Sequence, residues 1–253
     1  MRFLLYNIRY GAGSGRRFHL PVPYSGYVKG TSRNFERISD FIREQQPDVT
    51  GLVEVDLGTY RSRWRNQAER LADALGHAHV YQSKYCGNCF MKRVPILNRQ
   101  GNAILTSDAI QAMRFHHFDV GIKRLVIELE LEKMVILLVH LSIKFRHRHD
   151  QLRNLLAMIR NIGKPLVVAG DFNPLWGEKE LELFLQASGL KNANRAGLPT
   201  WPSRSPERQL DFILHSDDVA VTRFDIPNVR FSDHRPLVAE FTVNGRADRK
   251  DVP

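Results

Sequence analysis

The fold class follows most directly from the stretch Leu166-Val167-Val168-Ala169-Gly170-Asp171-Phe172-Asn173. Its four leading residues are apolar, and a short apolar run of this kind predicts a strand that is buried on both faces. Asp171 and Asn173 then present hard oxygen atoms, which suit a magnesium ion or a bound water. The same residues before Pro174 also fit a simple turn. The stretch therefore predicts a buried strand that ends in polar groups. The role of those groups depends on the other motifs of the chain.

The same arrangement recurs at three other places in the chain. The apolar runs that begin at Leu4, Leu52 and Val135 end at Asn7, Glu54 and His140. In layered α/β folds ligands collect where strands end, so side chains that are distant in sequence can converge there. Taken singly, each of these residues could instead form a turn or cap a helix. Together they predict a site at one edge of a sheet.

Two further polar clusters lie near the end of the chain. Asp233 and His234 are adjacent in Ser232-Asp233-His234, and neighbouring side chains point apart along an extended strand. We therefore expect either a turn that aims both at one site or a capped loop. Asp211 lies inside an apolar run, where a buried carboxylate needs a partner or a metal. A histidine partner would be oriented and stabilised by that carboxylate.

Alternating strand and helix patterns predict a layered α/β architecture in one domain. A hairpin is indicated near Glu132-Lys133, between two apolar runs. Predicted strands cover residues 3–6, 49–53, 102–105, 125–131, 134–141, 165–169, 210–214 and 237–241, and amphipathic helices cover 35–42, 152–159 and 178–187. We expect a catalytic domain at 1–244, a long glycine-rich loop at 11–30, and a charged, frayed tail at 245–253.

Composition limits the classes of protein to consider. With 43% hydrophobic and 25% charged residues among 253, disordered and fibrous classes are excluded. The net charge of +10 favours nucleic acid or an anionic membrane surface as a partner, although a generally basic soluble surface explains it equally well. Cys86 and Cys89 are two loop thiols or a zinc-like or redox pair. No apolar run approaches the ~20 residues of a membrane span, and we expect a cytoplasmic monomer.

In their order along the chain, these motifs resemble the endonuclease/exonuclease/phosphatase superfamily. This group includes apurinic-site endonucleases, pancreatic-type deoxyribonucleases, inositol polyphosphate phosphatases and neutral sphingomyelinases. The resemblance extends from Asn7 to His234. It rests on the motifs Leu5-Tyr6-Asn7-Ile8, Gly51-Leu52-Val53-Glu54, Gly101-Asn102-Ala103-Ile104-Leu105, Val139-His140-Leu141, Gly170-Asp171-Phe172-Asn173, Thr200-Trp201-Pro202-Ser203, Leu210-Asp211-Phe212-Ile213 and Ser232-Asp233-His234, with Arg124 before a strand.

The resemblance implies a DNase I-like, four-layer α/β sandwich, with two mixed sheets face to face and helices outside. It also implies hydrolysis of a phosphoester by in-line attack of water, with one or two Mg²⁺ or Mn²⁺ ions. The implied metal ligands are Asn7, Glu54 and Asp233; the implied catalytic residues are His140, Asp171, Asn173, Asp211 and His234; Asn102 and Arg124 would bind substrate. Either Asp171 or His234 could be the base that activates water.

The substrate stays open between two classes. A nuclease would use the basic clusters at 61–65 and 144–148 to follow a phosphate backbone, unless these clusters are ordinary solvated faces. A phospholipid or small-molecule phosphoesterase would use the apolar loop at 18–24 to approach a membrane and its anionic headgroups, unless that loop packs inward. An inactive binding module is disfavoured, because the polar residues of the implied site are all present.

Overall fold

The computed structural model describes residues 1–15, 30–84, 97–177 and 179–243. The cysteine pair, the apolar loop at 18–24, the tail at 245–253 and most of the loop predicted at 11–30 lie outside these residues. No helix in the four described ranges is both long and apolar enough to cross a bilayer.

The elements follow one another in the mixed order that the sequence predicts. The strands are β1 Arg2–Asn7, β2 Val49–Asp56, β3 Ala78–Ser83, β4 Gln100–Thr106, β5 Ile110–His117, β6 Leu125–Leu131, β7 Val135–His140, β8 Leu166–Asp171, β9 Lys191–Asn192, β10 Asp211–His215, β11 Val219–Asp225 and β12 Leu237–Val243. The helices are α1 Ser32–Gln45, α2 Gln67–Leu75, α3 Phe145–Ile159 and α4 Lys179–Ser188. All eight predicted strands and all three predicted helices are present.

The strands form two six-stranded mixed sheets. The first has the order β11-β12-β1-β2-β4-β3, and the second has the order β5-β6-β7-β8-β10-β9. The predicted hairpin is confirmed, since β6 and β7 pair antiparallel and the Leu131 amide donates to the Met134 carbonyl at 2.9 Å. Strands β3, β5, β9 and β11 and helix α2 were not predicted.

Three apolar clusters fill the spaces between four layers. Phe3 and Leu5 of the first sheet pack with Ile127 and Leu138 of the second, which places one core between the sheets. A second core joins the outer face of the second sheet to α3 and α4, and a third joins the outer face of the first sheet to α1 and α2. The predicted four-layer α/β sandwich, with two mixed sheets face to face and helices outside, is therefore confirmed.

Gly170 allows β8 to approach β7 closely, just before the polar end of the strand. Its φ is +151°, and a Cβ atom built there would lie 1.9 Å from the carbonyl oxygen of Val139. We expect Gly170→Ala to lower the free energy of unfolding by about 1–3 kcal/mol or more, because backbone cannot move aside as a flexible side chain does. Denaturant titration measures this change.

Gly163→Ala is the matched control, because a Cβ there would have no neighbour within 4 Å. Equal stability of the two variants would contradict the close approach.

Candidate functional site

The candidate site lies at one edge of the sandwich, where the two sheets meet. Strands β1 and β2 are parallel, as are β7 and β8, so each pair ends at the same edge. Strand β10 runs antiparallel to β8 and pairs Asp211 with Asp171. The two sheets are joined here directly, since the Asn7 Nδ2 donates to the Asp171 Oδ2 at 3.1 Å in a buried hydrogen bond. The convergence of strand ends that the sequence predicts is present.

Glu54 reaches the site through an irregularity in β2. The register with β4 shifts between Leu52 and Val55, and Glu54 has a φ of +58°. Such a bulge re-aims a side chain that would otherwise alternate with its neighbours. The Oδ1 of Asn102 accepts the Glu54 amide at 3.2 Å and holds this backbone. Asn102, predicted to bind substrate, is thus also a support for Glu54.

Asp171 is held at both carboxylate oxygens. Its Oδ2 accepts from Asn7, and its Oδ1 accepts the Asn173 amide at 3.1 Å. Asn173 has a φ of +52°, and its Nδ2 donates to the Leu141 carbonyl at 3.0 Å. Burial would raise the pKa of Asp171, but the hydrogen bond from His140 and the charge of His234 hold it well below its usual range. Asp171 is therefore an oriented carboxylate.

Asp211 and His234 form the buried pair that the position of Asp211 suggested. The Nδ1 of His234 donates to the Asp211 Oδ2, at 2.8 Å, and the Thr200 hydroxyl donates to the same oxygen at 2.7 Å. The Nε2 of His234 points towards Asp171, 4.0 Å from its Oδ2. Burial opposes a charged imidazole, but the charges of Asp211 and Asp171 outweigh it and raise the pKa of His234 to about 10. His234 thus carries a positive charge at neutral pH.

His140 lies between the two carboxylates from β2 and β8. Its Nε2 is 3.3 Å from the Asp171 Oδ2 and 3.9 Å from the Glu54 Oε1. Burial and the adjacent charge of Lys123 lower the pKa of His140 to about 4. The two histidines of the site therefore differ in charge at neutral pH, and His140 is the neutral one.

Lys123 belongs to the site and was not predicted. Its Nζ contacts the His140 Nε2 and lies 3.8 Å from the Glu54 Oε1, and its charge helps to keep the pKa of Glu54 below its usual range against the effect of burial. The predicted cation, Arg124, instead donates to the Phe118 carbonyl. Across the described ranges, no contact joins the Arg124 side chain to the site. Of these two adjacent cations, Lys123 therefore contacts the site and Arg124 points to the Phe118 carbonyl.

Asp233 reaches the site from the turn before β12. Its Oδ2 is 3.4 Å from the Nε of Arg9, a second basic residue that the sequence did not single out. The Ser232 hydroxyl contacts both the Asn7 carbonyl at 2.7 Å and the Asp233 Oδ1 at 3.3 Å. Asp233 is thereby placed beside Asn7, as expected if the two share a ligand.

The two basic clusters are not uniformly solvated. Arg61 is fully buried and pairs with Asp56 at 3.1 Å, and Arg148 is buried against Glu180. These two arginines are parts of the interior and cannot follow a nucleic-acid backbone. Neither predicted role, as a phosphate-binding face or as a solvated one, holds for Arg61 and Arg148. The basic members of the clusters that are exposed are Arg63, Arg65, Lys144 and Arg146.

Two groups of oxygen-rich side chains could hold a metal ion. Asp171, Asp211 and His234 bring three ligand atoms within 4.8 Å of one another, and the buried Asp211 Oδ1 has no hydrogen-bond partner among the described residues. Glu54 and Asp233, beside Asn7, offer carboxylate and amide oxygens that match the preference of magnesium. In the first group the hydrogen bond between Asp211 and His234 already occupies the Nδ1 of the imidazole. The chemistry of the donors thus fits a divalent ion better at Glu54, and the first group remains a candidate metal site.

Comparison with known proteins agrees with this geometry. Residues 4–234 match the Endonuclease/Exonuclease/phosphatase family. Among curated proteins, none matches this chain in sequence.

Solved structures resemble the chain over almost its whole length. An endonuclease/exonuclease/phosphatase from Beutenbergia cavernae is 17% identical, with a TM-score of 0.73. The match covers 97% of this chain and 72% of the Beutenbergia chain. The human Nocturnin catalytic domain with bound sulfate is 21% identical with a TM-score of 0.69, covering 96% and 94%. The mannosyl-6-phosphatase Bt3783 of Bacteroides thetaiotaomicron is 15% identical with a TM-score of 0.68, covering 96% and 99%. At these identities the likeness establishes the fold.

Proposed function

Because this chain belongs to the endonuclease/exonuclease/phosphatase family, we propose that it is a divalent-metal-dependent phosphodiesterase that uses water as the nucleophile. The observation that carries the proposal is the buried contact between the sheets, in which Asn7 of one sheet donates to Asp171 of the other. That contact brings a carboxylate, two histidines of different charge and an oxygen-rich metal site to one edge. This combination suits hydrolysis of an anionic ester.

The metal would be held by Glu54, with Asn7 and Asp233 beside it. A bound Mg²⁺ or Mn²⁺ ion supplies positive charge that neutralises the phosphoryl group and polarises one of its oxygens. Lys123 and Arg9 add positive charge next to Glu54 and Asp233. An anionic substrate is therefore attracted to the same edge that holds the catalytic groups.

Asp171 is the group that would orient the attacking water and accept its proton. Its low pKa keeps it ionised, and its two hydrogen bonds fix the direction of its lone pairs. His234 is a poorer candidate for the base, because the charges of Asp211 and Asp171 raise its pKa and so favour a protonated Nε2. His234 instead offers a charged N–H to the phosphoryl oxygens as negative charge develops on them.

The first experiment tests the metal site with Glu54→Gln. We expect chelator to abolish hydrolysis of a chromogenic diester by the natural chain, and Glu54→Gln to raise the Mg²⁺ or Mn²⁺ concentration for half-maximal activity by about 10–100-fold. The variant keeps the shape of the side chain, so the fold should be unchanged in circular dichroism. Glu132→Gln, in the hairpin distant from the site, is the control.

Metal-free hydrolysis, or an unchanged metal requirement in Glu54→Gln, would contradict the proposal. Asp211→Asn tested in the same assay separates the two metal groups: a larger loss of metal affinity in this variant would place the ion at Asp171, Asp211 and His234.

The substrate class is tested with the same enzyme on abasic DNA, single-stranded DNA, phospholipids and inositol phosphates. Burial of Arg61 and Arg148 removes one member from each basic cluster that a nuclease would use. This weakens the argument from charge for a nucleic-acid substrate.

A further inference from the structure

Four large apolar side chains are exposed on segments that adjoin residues of the candidate site in sequence. They are Ile122, Ile143, Phe145 and Trp176, with relative exposures between 51% and 80%; we call them the apolar rim. Each lies close in sequence to a residue of the site: Ile122 precedes Lys123, Ile143 and Phe145 follow His140, and Trp176 follows Asp171 and Asn173. Several large apolar side chains exposed on neighbouring segments are a feature of interaction sites in soluble folds.

A buried ion pair holds two members of the apolar rim together. The Nη1 of Arg148 donates to the Ile143 carbonyl at 2.9 Å, and its guanidinium pairs with Glu180. The Oε1 of Glu180 accepts the Trp176 amide at 2.8 Å. The segments after β7 and β8 are therefore joined, and Ile143 and Trp176 are held on neighbouring segments.

Gln151 joins the third segment to these two. Its Nε2 donates to the carbonyls of Val120 and Lys123, at 2.9 and 2.7 Å, and its Oε1 accepts the Ser142 amide at 2.8 Å. The loop that carries Ile122 is thus fixed against the residue preceding Ile143. Two buried side chains, Arg148 and Gln151, organise the apolar rim, so its exposure is built into the fold.

Positive charge alternates with the apolar residues. In Ile143-Lys144-Phe145-Arg146 all four side chains are exposed. Lys123 of the site directly follows Ile122 in sequence, and the whole chain carries a net charge of +10. Apolar side chains flanked by lysine and arginine suit a bilayer that contains acidic lipids. The apolar side chains can enter the acyl region, and the basic side chains can contact the anionic headgroups.

We propose that the apolar rim docks the candidate site onto an anionic phospholipid bilayer. Its role as a route to substrate rests on the proposed function, whereas the binding itself does not. The aromatic members alone would also suit stacking on nucleic-acid bases. Ile122 and Ile143 have no aromatic face, however, and gain by leaving water for the acyl region. The bilayer accounts for all four residues.

The test is flotation of the full chain with vesicles of phosphatidylcholine, with and without phosphatidylserine, in chelator. We expect binding to the vesicles that contain phosphatidylserine, weakened by salt. Ile143→Ser combined with Trp176→Ser should reduce it by about tenfold or more, because apolar burial supplies the affinity. Lys144→Glu combined with Arg146→Glu should remove the preference for phosphatidylserine.

Met113→Ser is the matched control, because Met113 is 57% exposed but lies in the middle of the edge strand β5, opposite Leu129. The Met113→Ser variant should bind vesicles as the natural chain does. All variants should hydrolyse a soluble chromogenic diester at the natural rate, since none alters a group of the site.

Absence of vesicle binding, or binding that the Ile143/Trp176 variant leaves unchanged, would overturn the proposal. Binding of single-stranded DNA that depends on the same two residues would overturn it in favour of a nucleic-acid surface. Because flotation is measured without turnover, failure of the docking is distinguishable from failure of the proposed hydrolysis.

Discussion

Asp171→Asn is expected to lower kcat for phosphodiester hydrolysis by about 10²- to 10⁴-fold, the range over which a positioned proton acceptor accelerates such reactions. Asparagine keeps the shape of the side chain but cannot take up a proton. The hydrogen bond from Asn7 Nδ2 would also face an amide instead of a carboxylate. Initial rates of the natural chain and the variant at saturating Mg²⁺ measure the effect, and matching circular dichroism spectra check that the fold is unchanged.

Asp119→Asn is the control for this change. Asp119 is an exposed carboxylate near the site whose Oδ2 accepts from Asn154, and it makes no contact with the catalytic cluster in the described part of the chain. Its variant should retain the natural rate. Retention of a tenth or more of the activity by Asp171→Asn would exclude Asp171 as the acceptor.

Asp56→Asn is expected to lower the free energy of unfolding by about 3–5 kcal/mol, the usual result of removing one partner from a buried ion pair. Arg61 has no exposed surface and would lose the carboxylate 3.1 Å from its Nη2. Asp56 also accepts from the Gly58 and Thr59 amides, at 3.0 and 2.7 Å, and so fixes the loop that follows β2. Urea titration measures the loss.

Asp40→Asn removes an ion pair of the same chemistry from the surface. Asp40 and Arg43 are 2.7 Å apart, but both are about 60% exposed, and such pairs contribute less than about 1 kcal/mol. A similar change in both variants would show that burial of Arg61 does not determine the effect.

The central strands and the positions of several candidate site residues could be predicted from sequence because both depend on local patterns. An apolar run that ends in one polar residue specifies a buried strand with its end at the site, and Asn7, His140 and Asp171 all follow this rule. Strands β5 and β11 were not predicted because they lie at sheet edges, where most residues are half-buried or exposed and the apolar residues form no run.

The finer geometry depends on contacts that no local pattern encodes. The bulge that turns Glu54 into the site is visible only in the register between β2 and β4. The choice of Lys123 over Arg124 depends on which of two adjacent cations faces the sheet edge. Burial of Arg61 and Arg148 required the positions of Asp56 and Glu180, since a basic cluster in sequence gives no sign of a partner in the interior.

The hydrogen bond between Asn7 and Asp171 ties the catalytic constellation to the docking of one sheet on the other. Asn7 and Glu54 belong to one sheet, and His140, Asp171 and Asp211 belong to the other. A sliding of the sheets by one ångström would separate the proposed metal ligands from the proposed water-orienting carboxylate while leaving each sheet intact. In the proposed mechanism the apolar layer between the sheets is thus part of the catalytic apparatus, and its rigidity would set the alignment of the two groups.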